Sequence, residues 1–184
     1  MTPVDTSPHA QPPPPVVRMV DEARSYIRKA LDFDVDGTHD TLPAVDHYLS
    51  EVPQNKPAVC ALVASAVGCY FGELVRERFG GRWIADGDDP AQWRLQLTCC
   101  SLHFRPVGMA YQAITRGELE ELFDDGVYVD GEDKPGLTQA LDSAAPVTLE
   151  VYYTLCNRFD TLEYIVELLM ARRAAAEEQD DAIR

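Results

Sequence analysis

Between Ala58 and Gly72 the chain carries a single polar residue, Ser65, and that run constrains the rest of the fold. Pro57 is suited to the first turn of a helix, and Gly80-Gly81 can close one after Phe79, so the pattern predicts a helix from Pro57 to about Phe79. Its first half is apolar all round. In its second half Glu73, Arg76, Glu77 and Arg78 fall among Phe71, Leu74, Val75 and Phe79, so it emerges into water there. The apolar run itself is shorter than the roughly 20 residues that cross a bilayer, which predicts a buried core helix. Other elements must then wrap it.

The flanking sequence supplies them. Val16, Val20, Ala23, Ile27 and Leu31 recur at helical spacing, and a second short helix is expected from Leu42 to Val52, with Thr41 as its cap and Pro53 at its end. After Gly81, a strand beginning at Trp83-Ile84 and an alternating one at Trp93, Leu95, Leu97 and Cys99 predict an antiparallel hairpin. Ser101 to Phe104 extends it or starts a third strand, and Val127–Val129 is a candidate edge strand. Further helices are expected from Pro106, over Pro135–Leu141, over Thr148–Cys156, and from Thr161 to about Arg173, the last with Asp160 and Glu163 as a capping-box pair. The fold class is therefore α+β: a predominantly helical single domain around one central apolar helix, with a small antiparallel two- or three-stranded sheet.

Of 184 residues, 46% are hydrophobic, enough for one sizeable core. We expect a Pro-rich leader over 1–15, one globular domain over 16–175 and a charged, frayed tail over 176–184. The leader lacks the basic start and apolar stretch of a secretory signal. Five cysteines without framework spacing suit reduced thiols, and hence a cytoplasmic location. With 31 acidic and 16 basic residues the net charge is −15, a field that repels phosphate backbones and anionic lipid. Nucleic acid and membranes are poor partners for it, and a basic protein surface is a good one.

Two motifs stand out. Asp32-Phe33-Asp34-Val35-Asp36-Gly37-Thr38-His39-Asp40 resembles the start of an EF-hand calcium loop, with Asp32, Asp34, Asp36 and Asp40 as candidate ligands. Its twelfth position, where a bidentate Glu belongs, is Pro43; the competing reading is an acidic interhelical turn. The second motif is Tyr70-Phe71-Gly72-Glu73 followed by Gly80-Gly81-Arg82-Trp83. It is similar to a Y-x-G-E…G-G-x-W arrangement of small uncharacterised bacterial domains, a resemblance of about fourteen residues that implies no activity. Physically, these residues either hold a helix against a strand or line a small polar pocket of Tyr70, Glu73, Arg82 and Trp83. A buried Glu73 without a cation beside it would favour catalysis, because desolvation raises a carboxyl pKa towards the range useful for proton transfer.

Cys99, Cys100 and His103 fall short of the four ligands of a structural zinc site, and adjacent cysteines on a strand face opposite ways. No Walker loop, G-x-G-x-x-G turn, G-x-S-x-G elbow or helical zinc-protease motif is present, and no cofactor is implied. The remaining candidates are acidic loops carrying Asp86, Asp88 and Asp89, and Asp124, Asp125 and Asp130, which can form one negative face. The expected function is a non-catalytic protein-binding module, a regulator, adaptor or immunity-type inhibitor presenting an acidic surface to a basic partner. The alternative is a small-molecule- or calcium-binding protein, an enzyme included, built on the Tyr70/Glu73/Trp83 neighbourhood or the Asp32–Asp40 loop.

Overall fold

A computed structural model of the chain describes residues 11–117, 123, 126–129, 131, 134–143 and 146–183. The apolar run forms α3 (Pro57–Phe79), and Gly80, at φ 74°, ends it while its N–H returns to the Arg76 carbonyl. Around α3 are α1 (Pro14–Leu31), α2 (Leu42–Ser50) and α4 (Pro106–Thr115), with α4 and α1 its main packing partners. The amphipathic stripe of α1 points inward as its spacing requires: Val16, Val20, Ala23 and Ile27 are all buried.

By length and composition α3 could cross a bilayer, but 72% of its most apolar stretch is buried inside the protein. Its apolar surface is largely covered by protein.

The sheet is an antiparallel meander in the order β1 (Gly81–Ile84), β2 (Arg94–Leu97), β3 (Leu102–Phe104), β4 (Val127–Val129). Trp83 pairs with Leu95, Arg82 with Gln96 and Leu102 with Val129. The sheet is thus four-stranded, one more than the upper number expected, because the candidate edge strand Val127–Val129 pairs along β3. Its inner face, including Trp83, Leu95, Leu97, Leu102 and Phe104, joins the core, where Phe104 meets Phe71 of α3 edge-on at 6.4 Å.

The C-terminal half departs from the sequence pattern. After α5 (Lys134–Ser143) and the single turn α6 (Leu149–Tyr152), α7 starts at Leu155 and runs to Ile183. Asp160 and Glu163 therefore lie inside a helix and do not cap one; Glu163 reaches across to Arg78 at 2.8 Å. The cap comes from elsewhere. Asp46 of α2 accepts the N–H groups of Leu155 at 2.7 Å and Cys156 at 3.0 Å, a tertiary link that adds to the local cap in which Thr154 Oγ1 accepts the Asn157 N–H at 3.2 Å. Thr41 makes no side-chain cap on α2; its hydroxyl donates to the Thr38 carbonyl, closing a short 3-10 turn (His39–Thr41).

Candidate functional site

Gly72 and Trp83 set the geometry of the Y-x-G-E…G-G-x-W residues. A Cβ at Gly72 would lie 2.5 Å from Cη2 and Cζ2 of Trp83, so the indole lies flush on α3 where only glycine leaves room. One turn-edge further, Glu73 accepts the Trp83 indole N–H on Oε1. Arg76 closes the arrangement with a two-pronged contact, Nε to Oε1 at 2.9 Å and Nη2 to Oε2 at 3.0 Å. The two side chains are 12% and 9% exposed, which makes this a nearly buried, charge-matched pair. Arg76 sits on both carboxylate oxygens, so the nearly buried Glu73 has a cation beside it.

Tyr70 and Arg82 lie elsewhere. Tyr70, one turn earlier and fully buried, accepts the Gly37 N–H at 3.1 Å and shares a hydrogen bond with Thr41 Oγ1 at 3.3 Å; burial pushes its phenol pKa up. Arg82, on the opposite side of β1 from Trp83, donates Nε and Nη2 to Gln96 Oε1 across the strand pair. The structure brings Glu73 and Trp83 together and directs Tyr70 and Arg82 to separate partners.

Tyr70 thereby pins the acidic turn. Asp36 accepts the Thr38 hydroxyl and N–H at 2.6 and 2.9 Å, bonds that hold its carboxyl below the ordinary range. Asp34 pairs with Arg28 at 3.4 Å and Asp40 with His39 at 3.3 Å, while Asp32, at φ 50°, ends α1. Among the described residues no three acidic, histidine or cysteine side chains come together as a metal site. Asp32, Asp34, Asp36 and Asp40 build an interhelical turn.

Of the acidic-face candidates, Asp86, Asp88 and Asp89 are exposed, and Asp89 caps a 3-10 turn (Pro90–Gln92) by accepting the Ala91 N–H. Asp124, Asp125 and Asp130 lie outside the described residues. His103 stacks on Tyr128 of the neighbouring strand at 5.4 Å.

An apolar feature that the motifs did not mark lies among the first three helices. Leu31 and Ala30 of α1, Tyr48 of α2, and Val59 and Val63 of α3 line a groove of about 520 Å³, which Val52 and Pro53 complete. A second hollow of about 340 Å³, lined by Tyr26, Lys29 and Leu62, adjoins it through Ala30, Tyr48 and Val63. Leu62 is 52% exposed here and Val59 37%. Glu51 lines the groove, and Glu22 stands beside it, accepting the Tyr26 hydroxyl. The sequence signal was present as the all-round apolar first half of α3: three helices cannot cover every face of it, and Val59 and Leu62 are what remains. Comparison of the chain with protein-family models, with curated proteins and with solved structures gave no match.

Proposed function

We propose that the chain is a non-catalytic protein-binding module whose α1–α2–α3 groove receives an amphipathic, positively charged segment of a partner. The observation that carries this reading is the pair Leu62 and Val59, large apolar side chains exposed on the core helix and flanked by the two joined hollows. Exposed leucine and valine beside tyrosines form the kind of surface into which an amphipathic helix lays its apolar face. The partner's charge follows from the field of the whole chain: at −15 a cationic segment is drawn in and an anionic one repelled, while the lining itself carries Glu51 and His47 in the groove and Lys29 in the adjoining hollow. Exposed Asp86 and Asp88 add to that field, consistent with a regulator, adaptor or inhibitor acting in the cytoplasm on a basic target.

A synthetic amphipathic helix of leucine and lysine, and its leucine–glutamate counterpart of equal length, test the reading by fluorescence anisotropy. The leucine–lysine peptide should bind, more weakly as salt rises, and the other should not. Replacing Val59 and Leu62 together by asparagine, which leaves the charge unchanged, should weaken binding by roughly tenfold or more. Equal binding of both peptides, or an unchanged affinity of the double variant, would overturn it.

A further inference from the structure

At the bend between β2 and β3, Cys99 and Cys100 bring two sulfurs to 3.8 Å. Arg173 of α7 holds that bend, donating Nη1 to the Cys99 carbonyl at 3.1 Å and Nη2 to Ser101 Oγ at 3.0 Å. Cys100 lines an open hollow of about 380 Å³ together with Arg82, Thr98, Ser101 and Arg173. Cys99 is half-buried and Cys100 is 4% exposed. The other three thiols sit differently: Cys60 is buried against the Pro53 carbonyl, burial pushes Cys69 up to about 12, and burial with the Asp46 carboxylate does the same to Cys156.

We propose that Cys99 and Cys100 form a redox-responsive dithiol that a hydroperoxide converts reversibly to a vicinal disulfide. The Cys99 thiolate attacks the peroxide: an S–O bond forms, the O–O bond breaks, and the departing alkoxide or hydroxide takes a proton from solvent. The Cys100 thiol then gives up its proton and attacks the Cys99 sulfur. An S–S bond forms, the S–O bond breaks and water leaves, so the sulfur pair loses two electrons and the peroxide gains them.

The surroundings favour this order. Cys100 donates to the ionised Cys99, which with the Arg173 charge brings the Cys99 pKa down to about 7. The same contact and burial push Cys100 up, and once Cys99 is a neutral sulfenic acid that contact no longer holds the Cys100 proton. A trans peptide fixes neighbouring Cα atoms at about 3.8 Å, below the roughly 4.4–6.8 Å usual for disulfides. The ring is therefore strained and easily reduced, as a switch requires. Closing it must turn the Cys99–Cys100 peptide, whose carbonyl is the group Arg173 holds, so oxidation should loosen α7 from the hairpin.

The test treats the reduced full chain with near-stoichiometric hydrogen peroxide, alkylates it after unfolding, and maps the peptides by mass. The peptide spanning Cys99 and Cys100 should lose two hydrogens and escape alkylation while Cys60, Cys69 and Cys156 are alkylated, and dithiothreitol should reverse this. Its rate should fall as pH drops through about 7. Cys100→Ser should stop at a sulfenic acid that dimedone traps, and Cys99→Ser should leave Cys100 reduced. Oxidation of Cys60 or Cys156 in wild type as fast as the pair would overturn the proposal, as would intermolecular disulfides in place of the internal link or unchanged peroxide consumption in Cys99→Ser.

Discussion

Glu73 is the residue whose removal should cost most among the polar side chains. Glu73→Ala takes the close two-pronged carboxylate from buried Arg76, leaving Glu77 at 3.9 Å, and takes the acceptor from the Trp83 indole N–H, so we expect a loss of ~2–3 kcal/mol in urea unfolding. Trp83→Phe removes the N–H and also the far edge of the indole, Cη2 and Cζ2, that lies on Gly72, and should cost about 2–4 kcal/mol from the lost hydrogen bond and the cavity together. Asp46 makes a prediction of opposite character. Burial raises its pKa in the folded state above the ordinary value of 3.8, outweighing the two backbone N–H bonds that lower it. The folded chain therefore holds the Asp46 proton more tightly than the unfolded chain, and the slope of stability with pH from this group is negative. Its contribution is full below about 3.8 and is lost as pH rises through the raised value. Thermal melts of wild type against Asp46→Asn should show wild type gaining relative stability as pH falls from 7 towards 4; a constant difference would contradict the assignment.

At the scale of elements, α3 and α4 meet where glycine leaves no room for anything larger. A Cβ at Gly68 would lie 2.5 Å from Val107 Cα and 2.8 Å from its nitrogen, backbone atoms that cannot swing aside. Gly68→Ala should destabilise by about 1–3 kcal/mol from overpacking, although alanine is the better helix former by ~1 kcal/mol. The elements nearest α3 were legible in the sequence because their periodicity is enforced by burial: Val16, Val20, Ala23 and Ile27 could face only inward. The start of α7 was not legible. Asp160 and Glu163 have the spacing of a capping box, but the local cap is Thr154, whose hydroxyl accepts the Asn157 N–H, and the carboxylate on the first two N–H groups, Asp46, lies 109 residues before Leu155. Thr154 competed with a better-looking box, and the share of the cap delivered through the fold leaves no local pattern. The partner of Tyr70 was not legible either: its residue type and helix face were visible, but its tie to Gly37 forms only when α3 packs on the turn.

For the whole molecule, the net charge of −15 opposes compaction by self-repulsion. Raising sodium chloride from low to physiological ionic strength should therefore raise the Tm, and a Tm that falls would mean attractive surface pairs outweigh the repulsion. The α+β class and the central helix could be read from the order of apolar runs; of the groove only the all-round apolar first half of α3 was visible, not which of its residues stay uncovered. A groove is the surface left after α1, α2 and α3 have packed, and whether Leu62 is covered depends on angles between helices that residue spacing does not carry. The central claim is that this leftover surface is the binding site. Its most direct measurement is an ¹H–¹⁵N correlation titration of the full chain with the leucine–lysine peptide. The account predicts shifts concentrated at Ala30, Tyr48, Val59, Leu62 and Val63; shifts confined to the exposed stretch Leu149–Tyr152 or spread over Asp86–Asp89, with those groove residues unmoved, would contradict it.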